Sequence, residues 1–160
     1  MKSGYLTIIF SGLLLLLGAC KESPEAIVQH DLEQGIALSG FDDLLDKPYL
    51  MIIPRIGCMG CISAAEQFML EAYRPYRDQL NILLSDISSY KTARVRFGSA
   101  FMDAANVFVD RESVFNEGEF ESTYPLILKL DKREVIEVNL VSPENALALE
   151  NFKNALDTTP

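Results

Sequence analysis

Apolar positions along this chain follow two different periods, and the switches between them mark out its elements. Tyr49-Leu50-Met51-Ile52-Ile53 is a continuous apolar run, the pattern of a strand covered on both faces, as in a central parallel position. Over residues 62–77 the apolar side chains Ile62, Ala65, Phe68, Met69, Ala72 and Tyr73 recur at spacings of three and four. That period predicts one buried face of a helix about four turns long, with Pro75 kinking or closing its last turn. Residues 81–87, Asn81-Ile82-Leu83-Leu84-Ser85-Asp86-Ile87, predict a second buried strand around their apolar centre. A strand, a long helix and a strand in this order imply a right-handed parallel crossover.

The flanking segments are less regular. Residues 21–38 read as a tether followed by weakly ordered structure, with Ser23-Pro24 as the break. Ser39 is placed to cap a short helix through Phe41-Asp42-Asp43-Leu44-Leu45, which Lys47-Pro48 ends. Between 88 and 121 the pattern weakens: residues 91–101 suit a helix carrying Lys91, Arg94 and Arg96, residues 106–110 a short strand, and residues 111–121 a helix or a loop interrupted by Gly118. The C-terminal third is sharper. Residues 125–130 predict a strand, Asp131-Lys132-Arg133 a hairpin turn, and residues 134–140, alternating polar and apolar, its partner. Ser142-Pro143-Glu144 opens a final helix with Leu147, Leu149, Phe152 and Leu156 as its apolar positions.

Chemistry enters with Cys58-Met59-Gly60-Cys61, directly after the first strand and directly before the long helix. Two thiols at this spacing lie within disulfide reach, and a helix N-terminus stabilises the first as thiolate. Zinc sites and structural disulfides use the same spacing. A zinc site normally needs four ligands, and with one histidine in the chain two are missing. A structural bridge closing so small a loop removes little entropy from the unfolded chain, which leaves redox exchange the better motivated role. Met59 either covers the sulfurs or meets an apolar partner.

The third cysteine bears on location. Met1-Lys2, an apolar stretch from Tyr5 through Leu17, and Leu17-Gly18-Ala19-Cys20 describe an export signal too short to span a membrane. The tetrad resembles the bacterial lipobox, which implies cleavage before Cys20 and a palmitate-type lipid on its sulfur. Lysine at position 21 resembles the outer-membrane form of sorting. The expected organisation is therefore a signal peptide over 1–19, a lipidated N-terminus and tether over 20–38, and one domain over 39–160. It would face the periplasm of a bacterial cell envelope, anchored to the membrane through Cys20.

Removing 19 residues leaves 141, enough for one domain with a sizeable core. That remainder holds 13 basic and 23 acidic side chains, a net of −10. Such a balance argues against nucleic acid, which needs a basic footprint, and against adsorption to anionic lipid by charge, so acyl chains must do the anchoring. In an oxidising compartment Cys58 and Cys61 have only each other to pair with.

A buried strand, CxxC, a long helix, a second strand, a proline leading a hairpin and a closing helix together resemble the thioredoxin fold over residues 40–157. Within it the chain is most similar to the membrane-tethered TlpA/ResA-type thiol-disulfide oxidoreductases and related Bacteroidota lipoproteins. Asp46-Lys47-Pro48-Tyr49-Leu50 resembles that family's Gly-Lys-Pro-Val-Leu, and residues 124–131, with Pro125 and Asp131 six apart, resemble its Pro-Thr-Thr-Phe-Leu-Ile-Asp segment. The resemblance implies an α/β, thioredoxin-like fold with a central mixed sheet of about four to five strands flanked by helices. It also implies an enzyme in which Cys58 attacks and Cys61 resolves. Pro125 would be a cis proline facing the pair, and Tyr124, with Met59 and Gly60, would contact the substrate chain.

The implied activity is reduction of disulfides in extracytoplasmic partner proteins, recharged by a membrane thiol donor, by a monomer without cofactor or metal. The departures from the pattern are specific. Gly57 stands where a tryptophan is usual, Met59-Gly60 has no proline, the chain has no tryptophan, and Ile52 occupies the position of thioredoxin's buried acid. Slower reduction, or a proton route through water, is the expected consequence. Arg55 either lowers the Cys58 pKa by charge or faces solvent.

Two other classes of function remain open at this point. One is a binding or structural lipoprotein without turnover. The other is copper handling through Cys58, Met59 and Cys61, soft ligands suited to Cu(I). Copper-delivery proteins of this fold resemble CxxxC with a downstream histidine, whereas the gap here is two and the single His30 lies upstream.

Overall fold

The computed structural model describes residues 23–116 and 123–159. The expected signal peptide over 1–19, Cys20 and part of the uncertain 111–121 stretch lie outside the described residues. The fold is α/β: a five-stranded mixed sheet with helices on both faces. Its strands are β1 (Tyr49–Ile53), β2 (Leu80–Leu84), β3 (Val107–Val109), β4 (Leu126–Asp131) and β5 (Glu134–Leu140), in spatial order β3-β2-β1-β4-β5. The pairs β1–β2 and β2–β3 are parallel; β1–β4 and β4–β5 are antiparallel. β1 is therefore the central strand that its unbroken apolar run predicts, with Leu50 and Met51 fully buried on opposite faces.

One structural finding corrects the sequence reading of residues 21–38. Most of that stretch is a 16-residue helix, α1 (Pro24–Ser39). Ser23 caps it by accepting the Ala26 amide at 3.3 Å, and Pro24 fills the first turn, where its missing N–H is no loss. Gly40, at φ 72°, ends it by donating its amide to the Ile36 carbonyl. Val28, Leu32 and Gly35, spaced by four and three, form its buried stripe. Val28 and Leu32 pack with Leu44, Leu50, Leu83 and Leu128 under one face of the sheet. Residues 24–39 thus belong to the folded unit.

The opposite face is covered by α2 (Met59–Ala72) and, later in the chain, α5 (Ala148–Thr158), through Ile62, Met69, Phe152 and Leu156 against Met51, Ile53, Ile82 and Leu84. α2 starts three residues earlier than the periodicity indicates and gives way before Pro75, which lies in the turns that lead to β2. The weak 88–110 stretch resolves into α3 (Tyr90–Phe97), α4 (Ser99–Met102) and β3. Ser142 opens only a 3-10 turn, Pro143–Asn145, and makes no side-chain cap bond; α5 follows at Ala148. Leu147 remains exposed, and Ala148 takes the buried place instead. The β4–β5 connection is a two-residue hairpin with Lys132 and Arg133 both at positive φ, the form whose twist matches the flanking strands.

Candidate functional site

β1 delivers the chain at Ile53 to the turn 54–57, and Cys58 follows as the N-cap of α2. Cys58 and Cys61 form a disulfide with Cα atoms 5.3 Å apart, within the range the bond requires. The Cys61 amide points at Cys58 Sγ, 3.4 Å away. Both cysteines are half-buried, while Met59 and Ile56, each about two-thirds exposed, flank them with apolar surface. A helix N-terminus favours a negative sulfur at this position, and no acidic residue in the first turn of α2 opposes it.

The loop before β4 closes over this start. The Cys58 amide donates to the Thr123 carbonyl at 2.8 Å. Gly57, at φ 153°, lies so near that carbonyl that an added Cβ would sit 2.0 Å from its oxygen. Gly60 has open space around it. Tyr124 and Pro125 continue directly from this contact, so the structure brings their segment to the cysteine pair through Thr123, a residue that the sequence reading overlooked. Its signal was adjacency to Tyr124-Pro125 alone.

The expected cis bond is not found. There is no cis peptide among the described residues, so Tyr124–Pro125 is trans, the ordinary preference of an X-Pro bond. Pro125 is buried at the start of β4, and its carbonyl accepts the Val141 amide at 2.9 Å.

Arg55 is engaged by Asp86, with Nε 2.8 Å from Oδ2. Ser113 donates its hydroxyl to Asp86 Oδ1 at 2.6 Å. The Ser113 bond, opposed by partial burial and reinforced by Arg55, holds the Asp86 carboxyl below the usual aspartate range. Beneath it the buried Asp110 accepts the amides of Glu112, Val114, Phe115 and Asp86. These two aspartates fasten the turn after β3 to the turn that leads into the cysteines. Neither was singled out in the sequence, since spacing gives no hint of a contact 31 residues apart.

Behind α2 a cavity of about 270 Å³ is lined by Pro54, Arg55, Glu66, Ser88, Thr92 and Arg96 among others. Burial raises the Glu66 pKa, and its ion pair with Arg96 offsets part of the rise. A cavity of about 580 Å³, lined by Lys47, Arg74, Arg77 and Asn106 among others, opens at the other end of the sheet. His30 lies on the exposed side of α1, bonded to Gln34, away from the cysteines in sequence and in element. Among the described residues no group of three or more His, Cys, Asp or Glu side chains is arranged to hold a metal ion.

No protein-family model and no curated protein matches the chain.

Proposed function

We propose that this chain is a thioredoxin-like protein: a redox-active CxxC at the start of the helix that follows a central strand, opposite a proline-led hairpin. Within that class it is a lipid-anchored, extracytoplasmic thiol-disulfide oxidoreductase of the TlpA/ResA type, held in the bacterial outer membrane through Cys20 and reducing disulfides of partner proteins. The observation that carries the reading is the half-buried Cys58–Cys61 disulfide at the N-terminus of α2, framed by exposed Ile56 and Met59. The sheet order and the position of β4 beside β1 support the class.

A membrane dithiol donor supplies two electrons and two protons to open the Cys58–Cys61 bond. Cys58 then attacks a partner disulfide as thiolate; its new S–S bond forms as the partner's breaks, and the departing sulfur takes up a proton. Cys61 gives its proton to water and attacks Cys58 Sγ, so the second partner sulfur leaves as thiol and the intramolecular bond is restored. The helix N-terminus favours the recharging step, in which Cys58 emerges as thiolate, and keeps that sulfur ionised for its attack. Ile56 and Met59 offer apolar contact to the partner chain around the sulfurs.

The test is thiol trapping followed by mass spectrometry on the full chain, with insulin reduction as the activity. Mild dithiol treatment makes both cysteines alkylatable, and Cys58→Ser abolishes insulin reduction. A bridge that stays closed to every mild thiol defeats the reading.

A further inference from the structure

Resting on that lipid-anchored reading, we infer that the domain is held close against the bilayer with the β4–β5 hairpin end toward lipid and the cysteine pair directed outward. Its redox partners are then proteins whose sulfurs project from the membrane, and not groups at the lipid surface beside the anchor.

The argument begins with the length of α1. Because Ser23 already caps the helix, only three chain steps separate it from Cys20, a reach of at most about 11 Å. The direction of α1 comes from its contacts. Early in the helix, Gln29 accepts the Val135 amide at 2.8 Å, and Val28 shares a buried cluster with Leu130 and Val135, on either side of the hairpin turn. Later, Gly35 is pressed against the Phe115 ring, and Leu38 and Ser39 line a cavity with Val109, Asp110 and Arg111, just past the end of β3.

β1, β2 and β3 run parallel, so that end of the sheet is also where β1 hands the chain to Gly57 and Cys58. The hairpin lies at the other end, because Lys129 of β4 pairs with Tyr49, the first residue of β1. α1 therefore climbs from the hairpin end toward the cysteine end, and the anchor attaches at its lower end.

A domain of this size has a radius of gyration of about 14 Å and is about 35 Å across. The tether is shorter than half that width, so the domain cannot turn over its attachment point and lay the cysteines on lipid.

The experiment uses the full-length protein reconstituted in phosphatidylcholine–phosphatidylglycerol vesicles carrying a contact-range nitroxide quencher on the headgroups. A fluorophore is placed on Cys58 in a Cys61→Ser variant, and separately on Glu134→Cys in a variant with both active cysteines replaced by serine. Strong quenching at 134 with loss of quenching at 58 is expected. Equal quenching at the two sites overturns the orientation. Intact-mass measurement of acylation on Cys20 accompanies both samples. If the lipid is absent the anchored reading fails and takes this inference with it, whereas lipid present with Cys58 quenched defeats the orientation alone and leaves the oxidoreductase reading standing.

Discussion

Gly57 and Thr123 approach so closely that a β-carbon at 57 would lie 2.0 Å from the Thr123 carbonyl oxygen. The same oxygen accepts the Cys58 amide, so one carbonyl both forbids a side chain before the first cysteine and fixes that cysteine's backbone. A side chain as large as tryptophan has no room at position 57.

Gly57→Ala is expected to destabilise the domain by about 2–4 kcal/mol, since backbone must move and φ is unfavourable for an L side chain. Gly60→Ala, with open space around it, is expected to be neutral or to stabilise by up to about 1 kcal/mol. Urea denaturation of the two variants side by side measures the contrast. Equal effects would mean that the Thr123 contact is not formed in solution.

Cys61→Ser is expected to leave Cys58 able to attack but unable to be released. Incubated with an oxidised protein substrate, this variant should accumulate a mixed disulfide visible on a non-reducing gel and cleared by dithiothreitol. Cys58→Ser should give no such band. The opposite pattern would reverse the two roles.

Asp86 predicts a pH dependence. Its folded pKa lies below the ordinary value near 3.8, so its contribution is fully present above that value and is lost as pH falls through the folded one. Arg55 is partly exposed, which limits the contribution to about 1 kcal/mol or less. Asp86→Asn should lower stability at pH 7 and converge with the parent protein in acid. Parallel stability curves at every pH would rule out the Asp86 contacts as their source.

Leu32 tests where the folded unit begins. Leu32→Ala is expected to cost about 2–4 kcal/mol, because its side chain is buried against the sheet with Leu44 and Leu50. A tether residue would show no change in thermal or urea unfolding.

The elements legible in the sequence were those whose own periodicity is strong. β1, α2, β2 and the β4–β5 hairpin bury whole faces, and burial writes a period of two or of 3.6, or an unbroken apolar run, into the residues themselves. The cysteine pair was legible for a similar reason, as four adjacent residues between a strand and a helix. α1 escaped because its buried stripe is narrow, only Val28, Leu32 and Gly35, amid polar residues, and its stability comes from a sheet face assembled from residues far along the chain.

By itself the sequence determined the α/β order of elements, the acidic balance and the presence of two thiols poised to pair. Only the tertiary structure decided that Thr123 closes on Gly57 and Cys58, that Arg55 belongs to Asp86, that the Tyr124–Pro125 bond is trans, and that α1 is part of the core. Each of these is a relation between residues distant in sequence or a conformation that packing selects among local alternatives. Periodicity and spacing report what a segment does with its own neighbours, whereas these features depend on which surfaces folding brings face to face.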